Sequence, residues 1–135
     1  MPYGVDMFIY CNPNPLGKQV GDCVIRALTM VLGTDWDTTY DLICKEGKKL
    51  ADMPSANTVW ASVLRNQGYV CVPLVNTCPN CYTVKDFCKD HQNGQYLLAI
   101  GNHVVAVRYG NYYDSWDSGN EVPISYWVRE DLLYG

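Results

Sequence analysis

Seven cysteines and only two histidines are the residues of this 135-residue chain whose types point to chemistry beyond packing. The cysteines are Cys11, Cys23, Cys44, Cys71, Cys78, Cys81 and Cys88. An odd number leaves one thiol outside any closed disulfide framework. Met1 to Tyr10 lacks a basic segment followed by an apolar stretch, so no signal peptide is expected there. That reading implies a cytoplasmic, reducing setting with free thiols, most of them serving as small buried hydrophobes. Any cysteine chemistry needs a base, and the choice lies between His91 and His103.

A cysteine nucleophile reacts as the thiolate, and a helix N-terminus favours that form by placing partial positive charge beside the sulfur. Cys23 meets this condition. Asp22 is a plausible N-cap, and Val24, Ala27, Leu28, Val31 and Leu32 follow at helical spacing until Gly33 ends the run. Asp22 and Arg26 stand at the i, i+4 spacing of an ion pair. Gln19, four residues before Cys23, can offer a side-chain N–H to an oxyanion hole. His103 opens a Val-Val-Ala-Val strand, where a polar ring is unexpected, whereas His91 ends a short charged helix as a solvated or C-capping histidine. His103 is therefore the better base.

The elements that must carry these residues divide into two groups. Helices are predicted over the run after Asp22, from about Asp35 to Leu50 with Trp36, Tyr40, Ile43 and Cys44 inward, and from Asn57 to Gln67 with Val59, Trp60, Val63 and Leu64 inward. Tyr69 to Leu74 reads as a strand, and Thr83 caps a short helix through His91. From Tyr96 the period is mostly two, through Ile100, His103–Tyr109 and Tyr112–Asp117, with Gly110-Asn111 as a hairpin turn. Helices followed by an antiparallel sheet make the class α+β, in a single domain over residues 1–135.

Strand register bears on which acid orients His103, because directly opposed residues of an antiparallel pair share a face. A two-residue Gly110-Asn111 loop sets His103 against Ser118. A three-residue loop, Tyr109 to Asn111, sets it against Asp117. Asp114 then lies three residues nearer the turn, about 10 Å along the strand. The register favours Asp117, and Asp114 needs a different pairing.

Gln19-x3-Cys23 at a helix start, His103 opening a Val-rich strand, and an acid after the next turn resemble the papain-like cysteine hydrolase superfamily. Asn12-Pro-Asn-Pro, Val20-Gly-Asp-Cys-x-x-Arg-Ala-Leu and His103-Val-Val-Ala-Val with Tyr113-Asp-Ser-Trp-Asp117 are also similar to small papain-fold proteins of bacteria and their phages. The likeness runs from about residue 10 to 127. It implies a papain-like fold, with Cys23 as nucleophile, His103 as base, Asp117 as orienting acid and Gln19 as oxyanion donor. Two features depart from the pattern. Val24-Ile-Arg26 replaces the small or aromatic residues common after the papain cysteine, so the substrate pocket does not carry over. Asp114-Ser-Trp116 matches the family's Asn-Ser-Trp, which nominates Asp114 against the register.

A second constellation, Cys78-Pro-Asn-Cys81 with Cys88 and His91, spells C-x2-C-x6-C-x2-H, a set of zinc-type ligands at unusually tight spacing. It reads equally as a turn with incidental thiols, or as a redox pair. The aromatic residues toward the C-terminus, among them Tyr112, Tyr113, Trp116, Tyr126 and Trp127, read as sheet and core. Lys45, Lys48 and Lys49 read as a solvated helix face.

Composition narrows the partners. The net charge is −4 with 18% charged and 48% apolar residues, which gives none of the basic footprint of nucleic-acid binders. No apolar run nears the ~20 residues of a membrane span. No phosphate-loop, dinucleotide or H-E-x-x-H motif occurs. The expectation is a monomeric thiol hydrolase needing no cofactor and acting on a peptide or protein amide bond. At this length a small or accessible substrate fits better than a buried loop. The alternative is a non-catalytic papain-fold or zinc-stapled module that occupies a partner protein.

Overall fold

A computed structural model describes residues 7–134; the first six residues of the segment read for a signal peptide lie outside it. In chain order the elements are β1 (Phe8–Tyr10), α1 (Cys23–Leu32), α2 (Trp36–Leu50), α3 (Asn57–Asn66), β2 (Tyr69–Pro73), α4 (Val84–Asp90), β3 (Gln95–Ile100), β4 (His103–Arg108), β5 (Asn111–Asp114), β6 (Ser125–Arg129) and α5 (Glu130–Tyr134). The six strands form one sheet in the order β1-β5-β4-β3-β6-β2. The class is α+β as expected, but the sheet is mixed: β1 runs parallel to β5 on one edge, while the other pairings are antiparallel. β1, β6 and α5 carry too few residues, or too weak an alternation, to be read from the sequence.

The sheet has helices on both faces. On one side Ala27, Leu28 and Val31 of α1 join Val59, Val63 and Leu64 of α3 against Leu97, Val104, Ala106 and Trp127. On the other, Val84, Phe87 and Cys88 of α4 meet Tyr96, Leu98, Val105, Val107 and Tyr112. Coverage of both faces explains why His103-Val-Val-Ala-Val-Arg108 reads as a nearly unbroken apolar run. Each fully buried aliphatic side chain contributes about 1.5–3 kcal/mol of transfer free energy. These two layers fix the ends of α1 and β4 relative to one another.

Local signals hold well at the helix starts. Asp35 caps α2 by accepting from the Thr38 N–H at 2.7 Å, and Thr83 with Asp86 forms a reciprocal capping box on α4. The inner face of α2 differs from expectation: Thr39, Ile43, Glu46 and Gly47 are buried, while Tyr40 is exposed. The helix is turned so that Thr39 meets the Thr29 hydroxyl of α1 at 2.8 Å, which a hydrophobic stripe does not reveal.

The β4–β5 turn decides the geometry of the site. Arg108 pairs with Asn111, so the loop is Tyr109-Gly110, not Gly110-Asn111 or the three-residue version. Both loop residues take left-handed φ, 50° and 83°, the conformation that suits the right-handed twist of the strands. Gly110 adopts it freely, whereas Tyr109 is an uncommon occupant.

Candidate functional site

Cys23 is the first residue of α1. Asp22 stands at the N-cap position, yet its side chain makes no capping bond to the helix. Its carboxylate instead accepts from Arg26 one turn on and from Trp36 Nε1 at 2.8 Å. No side-chain cap therefore occupies the N–H groups of the first turn, where the helix presents its partial positive charge.

His103 is the first residue of β4, and its Nε2 lies 2.6 Å from Asp114 Oδ2. The same imidazole shares a cleft with the Cys23 thiol, and each group shifts the other's pKa. Because Asp114 takes Nε2, Nδ1 is the ring nitrogen left for the sulfur. The structure thus joins Cys23 and His103, as the sequence anticipated, and completes the row with Asp114 instead of Asp117.

The correction follows from the turn. With Arg108 opposite Asn111, carrying the register on sets position 116 across from His103 and puts Asp114 only two residues nearer the turn. Diagonal neighbours at that offset are about 7–8 Å apart, within reach of an imidazole and a carboxylate. Asp117 has left the strand by then, and its carboxylate accepts from the Tyr112 hydroxyl and from the Gly119 N–H. Asp114, which the Asp-Ser-Trp match nominated, is the acid bonded to His103.

Asp114 is 2% exposed and surrounded by donors. Besides His103 it accepts from Ser118 Oγ at 2.6 Å, from Ser115 N–H at 2.8 Å and from an Arg26 guanidinium nitrogen at 3.2 Å. Its backbone is tied as well, since the Cys11 N–H donates to the Asp114 carbonyl at 2.8 Å. A carboxylate with this many donors is fixed in place and in its ionised form.

The electrostatics favour an ion pair. Burial pushes the Cys23 thiol up, but the hydrogen bonds from His103 and the Val104 backbone, with the charges of His103 and Arg26, bring it below the ordinary thiol value. Burial acts on His103 in the opposite sense to its partners: it disfavours the imidazolium, while the bonds to Asp114 and Cys23 lift its pKa to about 9. Burial also raises the Asp114 carboxyl, and the bonds from His103 and Ser118 together with the His103 charge hold it below the usual carboxylate value. Both shifts of the Cys–His pair therefore run toward thiolate and imidazolium.

Two clefts meet at the sulfur. One, of about 430 Å³, is lined by Gln19, Gly21, Arg26, His103 and Trp116 as well as Cys23. The other, of about 310 Å³, extends over Ser55, Asn57, Trp60, Gly101, Asn102 and Ile124 and has no charged lining residue. Gln19 lines the first, with its amide donating to the Tyr10 hydroxyl at 3.4 Å. Trp116, read from the sequence as sheet or core, lies instead 4.8 Å from the His103 ring and is 45% exposed.

The other constellation does not assemble as a metal site. Cys78 and Cys81 are joined in a disulfide, so the expectation of free thiols fails for these two. Cys88 is buried beneath α4, and the His91 ring is held at the helix end, with Nδ1 at 2.9 Å from the Phe87 carbonyl and its plane stacked on Phe87. Among the described residues no three His, Cys, Asp or Glu side chains come together as ligands. Of the five free cysteines Cys88 alone is fully buried. Cys71 is exposed on the edge strand β2, which corrects the reading of most thiols as core.

Sequence reasoning missed the anchoring of the acid. Arg26 was read only as a partner of Asp22, and it also holds Asp114 from 88 positions away. Ser118 and Trp36 were not read as parts of the network. Their signal is weak, because a single arginine or serine has no spacing of its own. No helix among the described residues is long and apolar enough to cross a membrane. No protein-family model, curated protein or solved structure matches the chain.

Proposed function

We propose that this chain is a papain-like thiol hydrolase that cleaves an amide, peptide or isopeptide bond with Cys23 as nucleophile, His103 as acid–base and Asp114 as the acid that orients the imidazole. The observation that carries the reading is the placement of Cys23, at a helix N-terminus, in one cleft with His103, whose imidazole is hydrogen-bonded to the buried Asp114.

In acylation the Cys23 thiolate attacks the carbonyl carbon, a C–S bond forms and the carbonyl oxygen takes the charge. In this reading the first-turn N–H groups of α1 stabilise that oxyanion, joined by the Gln19 amide from the lining of the same cleft once it leaves the Tyr10 hydroxyl. As the tetrahedral centre collapses, the C–N bond breaks and the leaving amine takes the imidazolium proton from His103. A water then gives a proton to His103 and attacks the thioester, releasing the acid and restoring the ion pair. Asp114 keeps the imidazole in one tautomer throughout. Trp116 covers the ring beside the cleft and limits water access to the Asp114 bond.

The test is chemical. Iodoacetamide at neutral pH is expected to alkylate Cys23 faster than Cys11, Cys44 or Cys71, as read by mass spectrometry of the adduct. Cys23→Ala is expected to abolish hydrolysis of a peptide-amide library, and His103→Ala to remove the excess reactivity of Cys23. Equal alkylation of all accessible thiols, indifferent to His103→Ala, overturns the reading in favour of a non-catalytic module.

A further inference from the structure

The described glycines separate cleanly by what requires them. Gly17, Gly33, Gly68, Gly94 and Gly110 take left-handed φ that side chains rarely adopt. Gly47 and Gly119 are packed so that a Cβ would meet Asp52 O at 2.9 Å and Tyr112 Oη at 2.2 Å. Gly21 and Gly101 have neither reason: their φ is not left-handed, and an added Cβ would meet no atom within 4 Å. Both line the uncharged cleft beside Cys23.

The two come from different elements, Gly21 from the loop before α1 and Gly101 from the turn between β3 and β4. Each stands two residues before a reacting side chain, Cys23 or His103. Glycine is conformationally expensive, and where neither backbone nor packing demands it, the remaining use is close approach of another backbone. The space a Cβ would take at either position is open cleft.

The clefts can be assigned by chemistry. His103 gives its proton to the leaving amine, so the leaving group lies in the cleft that His103 lines. The acyl side then runs through the cleft that holds Cys23 without His103, from Gly21, which lines both clefts, past Gly101, which lines this one. We infer that this cleft is built for an uncharged, extended acyl chain whose scissile carbonyl belongs to glycine, so that a bare substrate backbone passes Gly21 and Gly101. The inference rests on the hydrolase reading and adds a substrate class to it. Its lining carries no charged side chain to pair with an acidic or basic residue at that place.

Two chloromethyl ketones test it, N-acetyl-alanyl-glycyl and N-acetyl-alanyl-leucyl, in which the Cys23 thiolate displaces chloride as its sulfur–carbon bond forms. Each rate is divided by the iodoacetamide rate at Cys23, which reports the thiolate alone. The glycyl probe is expected to exceed the leucyl probe at least fivefold, and a smaller preference overturns the inference. In Gly101→Ala and Gly21→Ala the normalised glycyl rate is expected to fall at least fivefold, with Tm unchanged or raised, because alanine at a compatible site restricts the unfolded chain. An unchanged rate, or a lowered Tm that gives the glycines a structural purpose, overturns it. If iodoacetamide does not single out Cys23 in the unaltered protein, the hydrolase reading itself fails and takes the inference with it.

Discussion

Replacing Asp114 by Asn removes one buried charge while keeping one oxygen, which can accept from His103 in place of Oδ2, with the amide nitrogen taking the Oδ1 position that faces Arg26. The lift of the His103 pKa from 6.5 to about 9 survives the opposing effect of burial, through bonds to Asp114 and Cys23; at 1.36 kcal/mol per unit it corresponds to about 3 kcal/mol. A hydrogen bond to a charged group contributes about 1.5–3 kcal/mol and a neutral one about 0.5–1.5, so the Asn variant forfeits about 1–1.5 kcal/mol, close to one unit. Hydrolysis needs thiolate and imidazolium together, which gives a bell with its acid limb at the depressed Cys23 value and its alkaline limb near the His103 value. In Asp114→Asn the alkaline limb is expected to move down by about one unit and the acid limb up, so that Cys23 alkylation slows on the acid side of the profile. The acid limb is read from the pH profile of Cys23 alkylation by iodoacetamide, which follows the thiolate, and the alkaline limb from the pH profile of peptide-amide turnover, which also needs the imidazolium. Asp117→Asn is the control, since its carboxylate serves Tyr112 and Gly119; less than a twofold change is expected. A profile that moves with Asp117 and not with Asp114 would refute the assignment of the acid.

Cys88 has no charged or hydrogen-bonding partner to offset burial, which pushes its thiol up to about 12; it should resist iodoacetamide at pH 8 in the native protein and react on unfolding in urea, as mass spectrometry will show. Arg26→Met leaves Asp22 and Asp114 buried without their shared cation, so urea unfolding is expected to lose about 3–5 kcal/mol, and a loss under 1 kcal/mol contradicts a central place for Arg26. In Cys23→Ala, His103 keeps its bond to Asp114 and a folded pKa above the unfolded 6.5. The stability it contributes is then complete below pH 6.5 and lost as pH rises through the folded value. Tm of Cys23→Ala should therefore fall between pH 6.5 and 9, and a flat curve identical to that of Cys23→Ala/His103→Ala counts against the proton on His103.

Much of the fold was legible because its signals are local. α3 shows Val59, Trp60, Val63 and Leu64 at helical spacing, and all four are buried, together with Ala61. The Thr83-x-x-Asp86 box and the Asp35 cap announce helix starts whatever surrounds them. The failures are tertiary. Tyr40 looks like a core residue and is exposed, since α2 rotates to bring the Thr39 hydroxyl onto Thr29. β1 is three residues long and gains its place only by lying parallel to β5, a partner more than 100 residues away in sequence.

The acid was hidden by one residue of turn. Asn111 has the composition of a hairpin loop and is the first residue of β5, because Tyr109 takes the left-handed conformation that sequence statistics reserve for Asn and Gly. Against the three-residue loop that favoured Asp117, the Tyr109-Gly110 loop moves the partner of His103 from position 117 to 116 and leaves Asp114 two residues nearer the turn instead of three. The short Asp114-Ser-Trp116 likeness was insensitive to that error, since it depends on side-chain identity and not on counting from a turn.

What the register could not convey is why the site tolerates so many buried charges. From Asp22 through Arg26, Asp114 and His103 to Cys23 the groups alternate in sign once the thiol has passed its proton to the imidazole. Each buried charge then has an opposite neighbour, which offsets the desolvation that would otherwise drive it neutral. Proton transfer from Cys23 to His103 completes the alternation; the neutral pair interrupts it. The spacing Asp22-Cys23-x-x-Arg26 places the nucleophile and the anchor of its acid within one turn of α1. The same turn of α1 therefore carries both the sulfur and the guanidinium that holds Asp114, which itself stays tied to β1 and β5.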